Sequence, residues 1–175
     1  KCMQYAASVI NDLLTYSGVK NIICNRTNNI NFEDALANGE LTFVCTRRGD
    51  LGKSIHKSFG LFFLLLMQNA VLRRPGNENN RIPHFLYIDE FPEFLSSSTE
   101  SIFTLYRKYR VGATISAQTL SQLNGTVPGK DNFKDEILAN CVNKAIFGNA
   151  LPEDVQWWQT ELQDKREWTW NNSYE

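Results

Sequence analysis

The sequence predicts an α/β fold, a mostly parallel sheet flanked by helices, and two observations carry that prediction. Short, unbroken runs of β-forming residues recur at 41–46 (LTFVCT), 84–88 (HFLYI), 111–116 (VGATIS) and 143–147 (NKAIF). Between them lie longer stretches with helical periodicity and helix-capping signals, and that alternation is the order of strand–helix–strand units. The connections of such units are right-handed crossovers.

Taken in order, residues 4–17 (QYAASVINDLLTYS) have apolar residues at helical spacing and run into Gly18, which predicts an amphipathic helix ending there. Residues 21–31 are polar and turn-rich except for Ile22, Ile23 and Cys24, which suit a short strand. Residues 32–38 predict a short helix stopped by Gly39, which adopts a left-handed cap at little cost. The run 41–46 is a short, continuous stretch of β-formers, as expected of a buried parallel strand. RRGDLG follows as a turn, and Ser54 is placed to cap a long helix reaching about Arg74. Gly60 inside that helix costs about 1 kcal/mol against Ala, which predicts close packing at that point.

Residues 75–81 (PGNENNR) form a polar loop, and 84–88 is the clearest buried strand. Ser98 or Thr99 caps a second helix through Tyr109, with Glu100 in its first turn. A third strand covers 111–116. Residues 120–132, with Gly125, Pro128 and Gly129, are an excursion before a helix over 132–141 and a fourth strand at 143–147. Pro152 opens a last helix to about Leu162 as a first-turn proline. Three segments result: a helical or irregular 1–40, an α/β unit at 41–162 and a tail at 163–175.

With 175 residues the chain can bury one real core, and a net charge of -1 excludes a global basic field for nucleic acid. Cys2, Cys24, Cys45 and Cys141 have no CxxC or metal-like spacing, so buried, reduced thiols are expected, above all at Cys45 and Cys141. His56 and His84 have no partner at ligand spacing. The longest apolar run, 59–67, is shorter than the roughly 20 residues a spanning helix needs, so no membrane segment is expected in this chain. The chain begins KCMQYAAS, without Met or signal peptide, and is expected to be part of a longer protein.

The sharpest chemical signal is FLYIDEF, residues 85–91. A buried strand delivers Asp89 and then Glu90 at its carboxyl end, where open parallel sheets bind ligands. Adjacent acids face opposite ways and do not make a glycosidase pair. They can divide labour, Asp89 holding hydrated Mg²⁺ and Glu90 orienting a water. The same dipeptide is also common in an exposed turn. Arg107, in LYRKYR, and Gln118, ending the next strand, follow in order; alone they read as a solvated helix end and a loop-start hydrogen-bonder.

The blocks HFLYIDEFPEFL, TLYRKYRVGATISAQTLSQL and ILANCVNKAIFGNALPEDVQWW together resemble the motor domain of TraG/TraD-type coupling proteins of conjugation and type IV secretion, over roughly residues 38–162. The resemblance implies the later part of a RecA-like P-loop NTPase fold, with ATP and Mg²⁺ as cofactors. It implies Asp89 as the Walker B aspartate, Glu90 as the catalytic glutamate, Gln118 as the third-motif glutamine and Arg107 as a finger in trans. It further implies a homo-hexamer anchored at the cytoplasmic face of the bacterial inner membrane, with single-stranded DNA, relaxase and secretion-system proteins as partners. The alternatives are another pump of the RecA, HerA or FtsK kind, a secretion-assembly ATPase, or a catalytically incomplete binding domain. An α/β hydrolase is disfavoured because no GxSxG elbow occurs.

The pattern departs in one respect, since no GxxxxGK[ST] phosphate loop is present. The nearest imitation is RRGDLGKS, with Gly52-Lys53-Ser54, whose loop is too short to wrap phosphates. The phosphate loop is therefore expected upstream of residue 1, and this chain alone is expected to be inactive. All four tryptophans fall late, at 157, 158, 168 and 170, where packing and stacking on single-stranded DNA or a partner are the two readings.

Overall fold

The structure, a computed structural model, describes residues 2–124 and 133–162. Seven helices and two strands follow in the order α1 (Cys2–Thr15), α2 (Ser17–Ile23), α3 (Phe32–Asn38), α4 (Arg48–Leu72), β1 (His84–Ile88), α5 (Ser101–Thr104), β2 (Val111–Ile115), α6 (Phe133–Asn140) and α7 (Pro152–Leu162), with 3₁₀ turns between several of them. The two strands form a parallel sheet in register, His84 opposite Val111 and Ile88 opposite Ile115. The fold is mixed helix with a small parallel sheet, compatible with the α/β class.

The core lies on one face of that sheet. Met67, Ala70 and Val71 of α4 pack with Ile88, Val111 and Ile137 of α6, and Phe91, Phe94 and Tyr106 close the space between. A second cluster, Val19, Ile55 and Phe59, fastens the α1–α2 hairpin to the first half of α4. Gly60 is buried at the crossing of α4 with the turn after β1: an added Cβ would lie 2.2 Å from Phe94 Cε1. The expected close packing is present, and it is what makes a helix-weakening glycine worth keeping.

Several elements depart from the expectations. Gly18 does not end the first helix; the chain breaks at Tyr16 and continues as α2 through Ile22 and Ile23, so the short strand expected there is helix. Glycine weakens a helix by about 1 kcal/mol without forbidding it. The helix expected from 98 to 109 is three short pieces: a 3₁₀ turn with a Ser96–Thr99 capping box, α5, and a 3₁₀ turn ending at Arg110 with φ 58°. Residues 41–46 and 143–147 are not strands. A parallel strand needs a neighbour's backbone, and neither run joins a free edge of the sheet. Their apolar side chains stand exposed instead, Phe43 at 86% and Phe147 at 87%.

The sheet is covered on one face only. Phe85 and Tyr87 alternate outward at 65% and 73% exposure, so β1 is not the doubly buried strand its composition predicts. Cys45 is exposed, against the expectation of a buried thiol, while Cys141 is half-buried. α4 has 25 residues and a stretch of mean hydropathy 1.4, enough by length and composition to cross a membrane. Gly52 interrupts it with φ 74°, and one face of its second half packs into the core through Met67, Ala70 and Val71, while Phe62, Leu65 and Leu66 are exposed.

At the amino end of the sheet Arg74 is buried and donates to three carbonyls, Leu36 O at 2.8 Å, Tyr109 O at 3.0 Å and Ile82 O at 2.5 Å. Burial, then the charges of Arg81 and Arg110, lower its pKa from the usual arginine value. Burial and the Arg74 charge lower that of His84 in turn.

Two outcomes follow. Gly60→Ala should lower the unfolding free energy by about 1–3 kcal/mol, the usual range for overpacking, seen in urea melts as a lower midpoint at unchanged slope. Because His84 binds its proton less readily folded than unfolded, stability is full above the unfolded value near 6.5 and falls as pH drops through the folded value. Urea midpoints measured between about pH 7.5 and 5 should decline with acid in the wild type and decline less in His84→Gln.

Candidate functional site

Two candidate residues, Asp89 and Glu90, leave the carboxyl end of β1, and a third, Gln118, follows the carboxyl end of the neighbouring strand. Ile88 ends β1 opposite Ile115, so Asp89 and Glu90 emerge beside Ser116, and Gln118 follows two residues later. All four are exposed. Glu90 turns the chain sharply with φ 50° and ψ 41°, a left-handed conformation costly to a residue with a Cβ. Four hydrogen bonds hold the turn. Glu90 N donates to Asp89 Oδ1 at 3.0 Å and to Ser116 Oγ at 3.1 Å, Phe91 N donates to Ser116 O at 3.1 Å, and Glu93 N donates to Glu90 O at 2.9 Å.

Ser116 Oγ donates in turn to Asp89 Oδ1 at 2.5 Å, within the range for a hydroxyl on a carboxylate. One oxygen of Asp89 is thus occupied by two donors. The described residues place no donor on the other, which leaves it for a hydrated cation bound at one point or through water. The carboxylate of Glu90 has no hydrogen bond or ion pair among the described residues. Glu93, by contrast, is spent on Arg48 at 3.4 Å.

Gln118 donates its backbone N–H to Gln122 Oε1 at 3.0 Å. Its segment is pinned from behind by α7, where the buried Asp154 accepts from Leu120 N at 3.1 Å. Arg107 lies elsewhere, exposed in the turn Tyr106–Tyr109 that precedes β2. It stands at the opposite end of that five-residue strand from Asp89, about 17 Å along the strand direction, and does not share a cleft of this chain with the carboxylates. Gly52-Lys53-Ser54 sits within α4, Gly52 marking a kink rather than a loop, so this stretch offers no cradle for phosphates. No group of three metal-ligating side chains occurs among the described residues.

A cleft of about 710 Å³ opens between residues 39–47 and β1, with Gly60, Phe63, Leu64 and Met67 of α4 along it and Asp89 and Glu90 at one end. Trp157 and Trp158 are both half-buried and pack edge to face on each other, centroids 4.7 Å apart. Trp168 and Trp170 lie outside the described residues.

A family model described as the TraM recognition site of TraD and TraG matches residues 83–174, just over half of the 175 residues. The chain belongs to this TraD and TraG family. No curated protein matches it, and no solved structure does. The match places it with the C-terminal region of TraG/TraD-type coupling proteins, and so with conjugative DNA transfer. The matched span of this TraD/TraG chain opens one residue before β1 and takes in Asp89, Glu90, Arg107 and Gln118.

Two residues at the site escaped the sequence reading. Ser116 stands at the end of a strand, where serine is unremarked until the register sets it opposite Asp89. Asp154 looks like an ordinary first-turn acid of a helix. For the thiols, burial raises the pKa of Cys141 while the Lys144 charge partly opposes this. Ellman's reagent at neutral pH should therefore react quickly with the exposed Cys24 and Cys45, and at least tenfold more slowly with Cys141, as expected for a thiol with depressed thiolate and limited access.

Proposed function

We propose that this chain supplies the metal-holding and water-orienting half of a nucleotide site in a DNA-pumping coupling protein. The observation that carries the reading is the exit of β1, where two exposed acids leave a parallel strand beside the end of a second strand that leads to Gln118. That is the place where parallel sheets receive ligands. Asp89 would hold Mg²⁺ through its open oxygen, Glu90 would polarise a water, and Gln118 would sense the terminal phosphate. The bound Mg²⁺ would supply charge neutralisation to the phosphates. The residues present fit the cation and not the phosphate chain, because Gly52-Lys53-Ser54 lies at a kink within α4 and forms no loop. The phosphate loop and the rest of the RecA-like fold would then come from another part of the same protein.

Arg107 suits a role in trans, since it is exposed at the opposite end of the sheet from its own carboxylates and would reach a neighbour's nucleotide in a homo-hexamer. An arginine supplied in this way is worth about 10³–10⁵ in rate. Membrane anchoring at the cytoplasmic face, transport of single-stranded DNA with its relaxase, and contact with secretion-system proteins belong to the same reading. The family description also names TraM recognition, and we place a TraM-binding surface on this chain for that reason.

Calorimetry with Mg-ATP on residues 1–175 should show no micromolar binding. In the full-length protein Glu90→Gln should retain nucleotide and lose hydrolysis by about 10²-fold or more. Micromolar binding by the isolated chain would mean that the phosphate site lies within it, and undiminished hydrolysis in Glu90→Gln would remove that residue from the reaction.

A further inference from the structure

We propose that Ser116 is the positioning residue of the site: its hydroxyl fixes the Asp89 carboxylate so that one oxygen is spent and the other faces the cation. The inference rests on the reading of Asp89 as the metal-holding acid. Ser116 spends all of its polar atoms on four consecutive residues. Its N–H donates to Ile88 O at 3.1 Å, its C=O accepts from Phe91 N at 3.1 Å, and its Oγ bridges Asp89 Oδ1 and Glu90 N at 2.5 and 3.1 Å. The two backbone bonds would form with any residue other than proline at this place. The hydroxyl does something they cannot, because it accepts from the amide of the strained Glu90 and donates to the carboxylate at once.

Two consequences distinguish this role from a merely structural one. An aspartate side chain exposed to solvent samples several rotamers, whereas Asp89 is held by two donors on one oxygen. A carboxylate restricted in this way presents a single oxygen and accepts a cation at one point or through water. Ser116 also lies two residues before Gln118, so a displacement of that segment would be felt at Asp89 through a single hydroxyl.

The test uses Mn²⁺ as a paramagnetic probe of the ¹⁵N-labelled chain, since line broadening registers weak binding. In the wild type, Mn²⁺ should broaden the amides of residues 89–91 before others, and Asp89→Asn should abolish this. Ser116→Thr, which keeps the hydroxyl, should behave as wild type. Ser116→Ala should need at least threefold more Mn²⁺ for the same broadening, and its Glu90 amide should exchange at least tenfold faster. Should Ser116→Ala fail to fold, Ser116→Cys, nearly isosteric and a weak donor, is read in its place with the same expectation. Broadening in Ser116→Ala or Ser116→Cys equal to wild type, with Asp89→Asn silent, would overturn the role of Ser116. Equal broadening in wild type and Asp89→Asn would instead overturn the metal reading of Asp89.

Discussion

The bonds between residue 116 and residues 88–91 carry the parallel ladder one step past the end of both strands, and the site exists because of that extra step. A five-residue parallel pair is a weak element by itself. Here it is prolonged by Ser116 N–H on Ile88 O and Phe91 N–H on Ser116 O. Those two bonds force the chain between them, Asp89 and Glu90, into a tight outward turn. The left-handed conformation of Glu90 is the cost of the turn, offset by the two acceptors that its amide finds.

Packing holds this arrangement from below. Phe91 and Phe94, immediately after the acids, are buried against α4 and the residues before β2. Gly60 lets Phe94 approach the helix axis. The exposed acids are therefore fixed on the core by the aromatic residues that follow them. At the other end of the sheet Arg74 performs the matching task, tying α3, the start of β1 and the start of β2 through their carbonyls. The small sheet is clamped at both ends, by carbonyl-bound arginine at one and by a serine at the other.

What the residues revealed in advance was the local chemistry of each element. HFLYI, the Gly39 cap, the first-turn Pro152 and the glycine at 60 each report a constraint within a few residues of themselves, and the structure has all four. The pairing of Asp89 with the end of the next strand was legible in the same way, from two apolar runs that each end in polar residues. What was not legible depended on neighbours distant in sequence. LTFVCT and NKAIF have the composition of strands, but a strand is defined by a partner, and neither run has one here. Phe85 and Tyr87 were assigned to the interior by hydrophobicity alone, whereas burial depends on what covers the sheet. Ser116 was invisible as a site residue because its importance comes from register, which no single segment encodes.

Amide hydrogen exchange of residues 84–91 and 111–116 in the isolated chain tests the extended ladder most directly. If the ladder continues past the strands, the Ser116 and Phe91 amides should exchange as slowly as those in the middle of β1 and β2, within about tenfold, and open with them as one cooperative unit. Exchange of Ser116 and Phe91 at the rate of an unstructured peptide, with β1 and β2 still protected, would contradict the account.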